Sequence, residues 1–570
     1  MNLSHLKKGF SHTFGQALGI ILLQLLFASL GDSLMAVRYW DAILCIILGL
    51  LVKSGKASPL LAIGLLSVTL NLFADPASGM FFCVWFSLIP CFVLIGRIES
   101  WKEVFGWGQW VGTLLALGVF SWLGEAIETF AGISAPFAFL IALGIGLIIG
   151  FQYTLFFFLT KLLHRRSPLP LGFAGALAYT LTEYWAPFPL PLNLALAFSW
   201  TPLLIQVTDL VGMVGTSFLI AVVSGALYEI VMNLRRGTLK QAAVPAGVLV
   251  LILAGQVAYG FYCLKKYTPD PDAPSLDIAM IQPMSPLKVR NSDTEIKEEA
   301  AKNLVELSKE VIEQASSPPD LLVWPEGAAP FAYRSPKFNP EYLAALKPFQ
   351  AENPVPILVQ DIEFRRIPGL DRIGYTSNAT LIDASGAIVD SYAKNLLLPF
   401  GEYLPGAKQL PFLKKIFPET RSIQAGPGPR LLKGPGGEIV PLICYEVLFP
   451  NYVRRFCNLG GNYMVNQTND RWYGPKQQPR QHLAFAVFRA VENRLPLVRV
   501  TNSGISALID ARGIIEPDNQ TPPVSRGILR GRIHPREGGS HYARFGDILS
   551  ALILTPLGLL LIFTHLRRKP

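Results

Sequence analysis

Long runs of apolar residues dominate the first half of this chain and constrain its fold more than any other feature. A helix needs about 20 apolar residues to cross the roughly 30 Å hydrocarbon core of a bilayer. So many runs in succession cannot all form the centre of one globule, and they predict a polytopic α-helical membrane domain. The ten candidate spans are residues 12–34, 38–53, 56–74, 79–97, 107–130, 134–160, 168–186, 204–232, 243–264 and 546–565.

Charged residues concentrate between the ninth and tenth runs. Only 16% of the whole chain is charged, against roughly 25% in a typical soluble domain. This uneven distribution predicts three parts. Residues 1–264 form an N-terminal membrane domain of about nine helices, residues 265–545 form a water-soluble domain, and residues 546–570 form a C-terminal transmembrane helix with a short basic tail.

The basic residues predict the orientation in the membrane, because Lys and Arg favour cytoplasmic loops. They occur in alternate loops, with Arg38 as the exception, so we expect the N-terminus inside and residues 265–545 outside. We expect the first span to stay uncleaved, since no clear small-x-small site precedes Asp32. The net charge of +10 is then a topology signal and does not indicate nucleic-acid binding. The cytoplasmic set is Lys7, Lys8, Lys53, Lys56, Arg97, Lys102, Lys161, Arg165, Arg166, Arg235, Arg236, Lys240, Arg567, Arg568 and Lys569.

The soluble domain alternates β-like and helix-like segments. Such alternation is typical of an α/β fold with helices on the faces of its sheets. In such folds functional groups collect in loops at the carboxyl ends of strands. The predicted strands are residues 276–283, 320–326, 354–362, 376–384, 438–446, 461–468 and 496–504, and the predicted helices are 294–316, 340–350, 449–458 and 479–494.

Reactive side chains follow three of these strands. "LLVWPEG" ends at Glu326, "SYAKNLLLPFGEYLP" carries Lys394 and Glu402, and "PLICYE" delivers Cys444. Together they suit acyl transfer: a glutamate takes the thiol proton, the cysteine attacks a carbonyl, and the lysine stabilises the oxyanion. We also expect the lysine charge and the helix beginning near Pro450 to favour the thiolate.

Each residue alone also has an ordinary explanation. Glu326 could be a turn carboxylate and Lys394 a solvated charge. A free cysteine is among the most buried residue types, and most buried cysteines are not catalytic. The domain has only Cys444 and Cys457, so it has no disulfide framework that would explain them. The hypothesis of a catalytic site therefore depends on the three segments occurring together.

These motifs carry a resemblance. W-P-E, then Y-x-K with F-G-E-Y-x-P, then I-C-Y-E resembles the pattern of the nitrilase superfamily. With "TNDRWYG", with "QHLAFAVFRAVENRLPLVRVTNSG", and fused between membrane spans, residues 168–565 resemble its membrane-fused branch, the apolipoprotein N-acyltransferases. The resemblance implies an exported nitrilase-like α/β domain, an α-β-β-α sandwich, beside the membrane helices.

The resemblance also implies roles for individual residues. Glu326 would be the base, Lys394 the oxyanion stabiliser and Cys444 the nucleophile. Glu402 would support the lysine and the tetrahedral intermediate. Tyr445 and Glu446 would shape the pocket.

The resemblance implies a reaction and its substrates as well. The enzyme would move an acyl chain from a phospholipid, usually phosphatidylethanolamine, through a cysteine thioester to the α-amine of diacylglyceryl-cysteine on an apolipoprotein. It would act as a monomer in the bacterial cytoplasmic (inner) membrane, with its catalytic domain on the periplasmic side. No metal cluster and no Gly-rich phosphate loop stands out in the sequence, so we expect no cofactor and no metal.

Two other functions remain open from the sequence. A membrane-anchored nitrilase-type amidase would use water as the acyl acceptor, although one span would suffice to anchor it. A transporter with an accessory domain would show internal repeats and broken spans near the midplane. We find no internal repeat.

Two further features bear on lipid contact. Glu125, Glu128, Glu183 and Asp209 lie in apolar runs, where ionisable groups are costly and often functional. We expect them to line a path for lipid head groups. Residues 404–422 mix apolar side chains with Lys414 and Lys415, which suits an arm that dips into the head-group layer.

Overall fold

The computed structural model covers the part of the chain on which most of these expectations depend. It describes residues 34–564, together with Gln16, Gly19 and Ile20, except 55–57, 187–189, 288–292, 330–331, 336, 367–372, 408 and 417–422. The predicted first span, the basic tail and the last third of the predicted arm therefore lie largely outside the described residues.

The chain divides into two compact units. The first contains residues up to Gly124, then Pro136–Tyr262, then Asp547 onward. The second contains Cys263–Gly546 and also the short segment Glu125–Ala135, which comes from the apolar first half of the sequence. This segment therefore packs with the α/β domain and not with the helices that flank it in sequence.

The first unit is helical. Three described helices are long and apolar enough to cross a membrane: Ala135–Arg166, Thr208–Arg235 and Leu239–Lys266. The pair Trp101–Val119 and Leu123–Ala131, bent by 64°, makes a fourth if it is one span, although most of its second helix belongs to the second unit. The count of ten spans stays a prediction, because the remaining helices are shorter. These are Leu34–Lys53, Pro59–Ala74, Val84–Ser87, Ile89–Arg97, Leu171–Trp185, Pro202–Ile205 and Thr555–Thr564, with 3₁₀ turns Phe81–Cys83 and Leu194–Phe198 and a π-helix Leu549–Leu554.

One predicted lipid-facing acid has a partner inside this unit. Asp209 is buried, and its carboxylate accepts a hydrogen bond of 2.9 Å from the Tyr259 hydroxyl. Since a buried ionisable group needs such a partner, Asp209 contributes to helix packing. Its predicted role in a path for head groups stays a prediction.

Two helices of this unit cross at a pair of glycines. A Cβ on Gly172 would lie 2.5 Å from the carbonyl oxygen of Gly225, and a Cβ on Gly225 would lie 2.5 Å from that of Gly172. Small residues are enriched where transmembrane helices approach this closely. The contact between Leu171–Trp185 and Thr208–Arg235 therefore depends on the absence of both side chains.

The second unit contains two sheets. The six-stranded sheet has the order β11-β1-β2-β3-β4-β5, in which β1, β2 and β3 are parallel. The five-stranded sheet has the order β10-β9-β8-β7-β6, in which β7, β8 and β9 are parallel. The strands are β1 Leu276–Gln282, β2 Leu321–Val323, β3 Ile357–Arg366, β4 Ile373–Ile382, β5 Ile388–Ala393, β6 Leu432–Gly434, β7 Gly437–Ile443, β8 Tyr463–Thr468, β9 Leu497–Thr501, β10 Ala507–Ile509 and β11 Gly527–Ile533.

Helices cover the outer face of each sheet. Leu304 and Leu346, from helices Thr294–Glu313 and Pro340–Glu352, share one buried core with Leu322 and Ile357 of the first sheet. Helices Pro450–Asn458 and Gln478–Asn493 pack on the second sheet. The two sheets meet on their inner faces, where the Gln467 side chain donates to the Trp324 carbonyl at 2.6 Å. The result is the predicted α-β-β-α sandwich, completed by the short helices Leu413–Ile416 and His541–Phe545.

We predict that Gly225→Ala destabilises the helical unit. The new Cβ would meet backbone at the crossing, and overpacking of this kind typically costs about 1–3 kcal/mol. Gly247→Ala is the matched control, because nothing lies within 4 Å of a Cβ built there. The thermal unfolding midpoint in detergent should fall for Gly225→Ala and not for Gly247→Ala. Equal midpoints for the two variants would contradict the close crossing.

Candidate active site

The cysteine of the third motif lies where β7 ends. The strand stops at Ile443, and Cys444 begins a 3₁₀ turn that runs to Leu448. Cys444 has φ 51°, in the left-handed region that side chains other than glycine rarely adopt. Strained backbone of this kind concentrates at functional sites. The turn leads the thiol out of the sheet and into a cavity.

The two glutamates and the lysine converge on one point. Glu326 follows β2, and Lys394 directly follows β5. The Lys394 Nζ donates to Glu402 Oε1 at 2.6 Å and to Glu326 Oε1 at 3.3 Å. The lysine side chain is fully buried, and both carboxylates are nearly so. The structure therefore brings together Glu326, Lys394, Glu402 and Cys444, as the sequence predicted.

Burial and the two carboxylates determine which groups hold protons. Burial raises the pKa of the Cys444 thiol, Glu326 raises it further, and the Lys394 charge only partly offsets them. Burial also raises the pKa of Glu326, although Lys394 opposes this shift. Burial alone would lower the pKa of Lys394, but Glu326 and Glu402 outweigh burial and raise it. The resting site thus holds a thiol and an ammonium group.

The expectation that Lys394 favours the thiolate is confirmed in its direction, and the expected contribution of the helix after Pro450 stays a prediction. The lysine does act in that direction, but burial and two nearby carboxylates outweigh it. A thiol of this kind needs a base at the moment of attack. A carboxyl group whose pKa is raised toward neutrality is suited to take its proton, and the thiol already bonds Glu326.

Glu446 ties the cysteine and lysine segments together. Its Oε2 accepts the backbone N–H of Ile443 at 2.8 Å, directly before Cys444. Its Oε1 accepts the backbone N–H of Asn395 at 2.7 Å, directly after Lys394. Burial raises the pKa of Glu446 to about 6, although these N–H groups oppose the shift. The carboxyl group thus links the end of β7 to the residues that follow β5.

Tyr445 lies next to Cys444 within the 3₁₀ turn Cys444–Leu448. Its ring meets Phe449 edge to face, with 4.8 Å between the centroids. Among the described residues that line the cavity, neither Tyr445 nor Glu446 appears. Their predicted part in shaping the pocket therefore stays a prediction, and for Glu446 the contacts indicate an indirect one.

The cavity in front of Cys444 has a volume of about 780 Å³. Glu326 and Glu402 line it, together with aromatic residues that include Phe130, which was not predicted, and Trp472 of the segment "TNDRWYG". Phe130, from the segment Glu125–Ala135, stacks on Trp472 with 4.5 Å between the ring centroids. An apolar wall beside a few convergent polar groups is typical of a site for a ligand with an apolar part.

The segment that carries Phe130 has a second contact in this unit. Glu125 lies 3.3 Å from the Lys476 ammonium group. The Glu125 side chain is 44% exposed, so the ion pair contributes little to stability. The prediction that Glu125 and Glu128 meet lipid head groups stays a prediction.

The described part of the predicted arm is largely exposed. It contains the one-turn helix Leu413–Ile416, and the side chains of Leu410 and Phe412 are 47% and 53% exposed. Exposed apolar side chains in a cluster mark surfaces that meet another partner. Contact of this arm with lipid stays a prediction.

A buried polar group behind Cys444 was not predicted from the sequence. Thr468, at the end of β8, bonds the thiol. Asp470 and His482 pair at 2.8 Å, and the His482 ring also meets the Cys444 carbonyl. These residues lie in the two segments "TNDRWYG" and "QHLAFAVFRAVENRLPLVRVTNSG" or directly beside them. The polar side chains of these two segments were the available signal.

Comparison with known proteins identifies both parts of the chain. Residues 277–535 match the carbon-nitrogen hydrolase family, and residues 67–226 match the apolipoprotein N-acyltransferase N-terminal domain. Apolipoprotein N-acyltransferase from Geobacter metallireducens is 31% identical and aligns with 85% of this chain and 91% of its own length. The enzyme of that name from Allorhizobium ampelinum is also 31% identical, and it aligns with 81% of this chain and 88% of its own length.

Solved structures match the α/β part. Nit3 of Saccharomyces cerevisiae, a member of branch 10 of the nitrilase superfamily, is 14% identical with a TM-score of 0.35, and the match covers 53% of this chain and all of that one. An amidase of the same superfamily from Nesterenkonia AN1 is 19% identical with a TM-score of 0.34, and covers 48% of this chain and 95% of that one.

We predict that Lys394→Met destabilises the α/β unit, because it leaves two buried carboxylates without their cation. Removing one partner of a buried ion pair typically costs about 3–5 kcal/mol. The double variant Lys394→Met/Glu402→Gln should recover much of that loss, since one negative charge goes with the positive one. Thermal unfolding midpoints measure both effects.

Lys433→Met is the matched control, because Lys433 is exposed on β6 of the same unit. Its midpoint should equal that of the wild type. A Lys394→Met protein as stable as Lys433→Met would contradict the buried cluster.

Proposed function

The chain belongs to the apolipoprotein N-acyltransferase family, and we propose that it moves an acyl chain from a phospholipid to the N-terminal α-amine of a diacylated apolipoprotein. Family membership over most of the chain supports the substrates. Cys444 and Glu326 line one cavity, and Lys394 donates to Glu326; this arrangement is the observation that carries the chemistry. Phosphatidylethanolamine is the expected donor.

In the first half-reaction Cys444 takes the acyl chain. Glu326 accepts the thiol proton, and the thiolate attacks the ester carbonyl carbon of the phospholipid. The oxyanion that forms is stabilised by the Lys394 ammonium group, which Glu402 holds in place. The intermediate collapses as the bond to the glycerol oxygen breaks. Glu326 returns its proton to that oxygen, and lysophospholipid leaves.

In the second half-reaction the apolipoprotein takes the chain. Its α-amine attacks the thioester carbonyl carbon, and Glu326 accepts a proton from the amine. The carbon–sulfur bond breaks as the amide forms, and the sulfur regains the proton. One cysteine thus serves two acyl substrates in turn, which is a ping-pong mechanism.

The same site would hydrolyse the thioester if water reached it first. The rival function is therefore a membrane-anchored amidase or hydrolase, for which water is the acceptor. The Phe130–Trp472 stack supports transfer, because an apolar wall favours an acyl chain and excludes water. The two functions differ in what happens to the acyl group when no amine is present.

We predict that purified enzyme given phospholipid alone gains the mass of one acyl chain. Without an amine the cycle stops at the thioester. The added mass should lie on Cys444, be released by hydroxylamine, and disappear when a diacylated lipopeptide is added. Intact-protein and peptide mass spectrometry measure all three results.

Three variants control that experiment. Cys444→Ala should gain no mass, whereas Cys457→Ala should behave as the wild type, because Cys457 lies on helix Pro450–Asn458 and bonds Asn493. Glu326→Gln should form the adduct about 10²-fold more slowly, which is the usual loss for a general base. Rapid release of free fatty acid by the wild type would favour the hydrolase.

We also propose that the α/β unit lies on the periplasmic side of the inner membrane, because basic residues prefer cytoplasmic loops. The prediction uses a cysteine-free protein with one new cysteine at Asp518 or at Gln241. Both positions are exposed, and neither carries a positive charge. An impermeant thiol reagent added outside should label Asp518→Cys only.

Membrane disruption provides the control, because both cysteines should then react. Labelling of Gln241→Cys in intact cells would contradict the proposed orientation.

A further inference from the structure

A chain of buried polar groups runs behind the nucleophile. The Arg499 guanidinium donates to Asp470 Oδ2 at 2.7 Å. Asp470 Oδ1 lies 2.8 Å from Nδ1 of His482, and Nε2 of that ring lies 3.3 Å from the Cys444 carbonyl oxygen. The chain therefore ends on the backbone of the residue that carries the thiol.

The members of this chain come from separate elements. Arg499 lies on β9, Asp470 begins a 3₁₀ turn after β8, and His482 lies on helix Gln478–Asn493. All three are at least 96% buried, so water cannot replace these partners. Arg499 also donates to Asn466 on β8 at 2.6 Å, which fixes the far end of this series of polar groups to the five-stranded sheet. Polar groups that are buried and partnered in this way specify one geometry.

The backbone of Cys444 needs such support. Its φ of 51° is one that residues other than glycine hold only when their surroundings enforce it. On the amino side of the cysteine, Glu446 binds the N–H of Ile443. On the carbonyl side, the His482 ring meets the Cys444 oxygen. The nucleophile turn is thus held from both directions.

We propose that His482 is a positioning residue for Cys444, whose Nε2 holds the carbonyl of the nucleophile turn and so keeps the thiol directed at Glu326 and the acyl carbonyl. Asp470 and Arg499 fix the orientation of the ring. His482 would thus act together with Glu326, Lys394 and Cys444, and its positioning role rests on the proposed role of Cys444 as nucleophile.

The two ring nitrogens have separate tasks, and two substitutions separate them. Both partners accept, so Nδ1–H toward Asp470 and Nε2–H toward Cys444 are present together only in the imidazolium form of the ring. Burial and Arg499 disfavour that form by lowering the pKa of His482, and the Asp470 carboxylate and the Cys444 carbonyl favour it. An asparagine amide nitrogen reaches about as far as Nδ1, and a glutamine amide nitrogen about as far as Nε2. His482→Asn therefore keeps the Asp470 contact and loses the contact to Cys444. His482→Gln keeps the contact to Cys444.

The experiment compares the rate of acyl-enzyme formation on Cys444 in the two variants and the wild type. A misplacement of about 1 Å can cost roughly 10²-fold in rate. For His482→Asn we expect a loss of that size in the maximal rate of acyl-enzyme formation. The phospholipid concentration that gives half of the maximal rate should be unchanged. His482→Gln should recover most of the rate. Thermal unfolding midpoints show whether both variants are folded.

The rate of Cys444 alkylation by iodoacetamide, located by peptide mass, is the second measurement. It depends on the position of the thiol and on Glu326 but not on phospholipid. If the wild type and His482→Gln are alkylated faster than His482→Asn, the positioning role is supported even when the wild type forms no acyl-enzyme. The absence of an acyl-enzyme in the wild type would count against the proposed function alone. Equal losses in both variants, or no loss in His482→Asn, would overturn the positioning role.

Discussion

The active-site geometry depends on one buried cation between two carboxylates. Lys394 has no exposed surface, and it can stay charged there only because Glu402 and Glu326 surround its ammonium group. The three groups come from two segments of the chain, one that carries Lys394 and Glu402 and one that carries Glu326. Their attraction therefore brings together loops that the sheets alone would leave independent. Burial raises the pKa of the neighbouring Cys444 thiol most, Glu326 and Glu402 raise it further, and Lys394 opposes them, so Cys444 rests as a thiol.

A neutral thiol has a consequence for the chemistry. If Lys394 alone activated the sulfur, the site would hold a thiolate at rest, which is more easily oxidised than a thiol. In the proposed mechanism the proton leaves only when Glu326 takes it, and the raised pKa of Glu326 suits that transfer. Reactivity is thus tied to the alignment of Glu326 and Cys444. This is why contacts behind the nucleophile, from Glu446 and His482, bear on the rate.

The sequence predicted most of this arrangement and missed part of it for physical reasons. Parallel strands such as β8 and residues 439–443 of β7 are fully buried, so their apolar runs and the polar residues at their ends are easy to recognise. β11 was missed because it is an edge strand whose sequence "GILRGRI" carries two arginines, of which Arg532 is exposed. His482 lies in a helix that is buried on all sides, and no local pattern separates a positioning histidine from a core one. Phe130 lies in an apolar run that predicts membrane, and only tertiary structure places it on Trp472.

The proposed cycle uses the cluster twice, in opposite directions. In the first half-reaction Glu326 removes a proton from sulfur and gives it to the departing glycerol oxygen. In the second it removes a proton from the incoming amine and gives it to sulfur. A group that both accepts and donates protons works best when its pKa lies near the working pH. Burial together with Glu402 raises the Glu326 pKa while Lys394 limits the rise. The lysine is therefore both the oxyanion partner and the charge that keeps the base usable in each half-reaction.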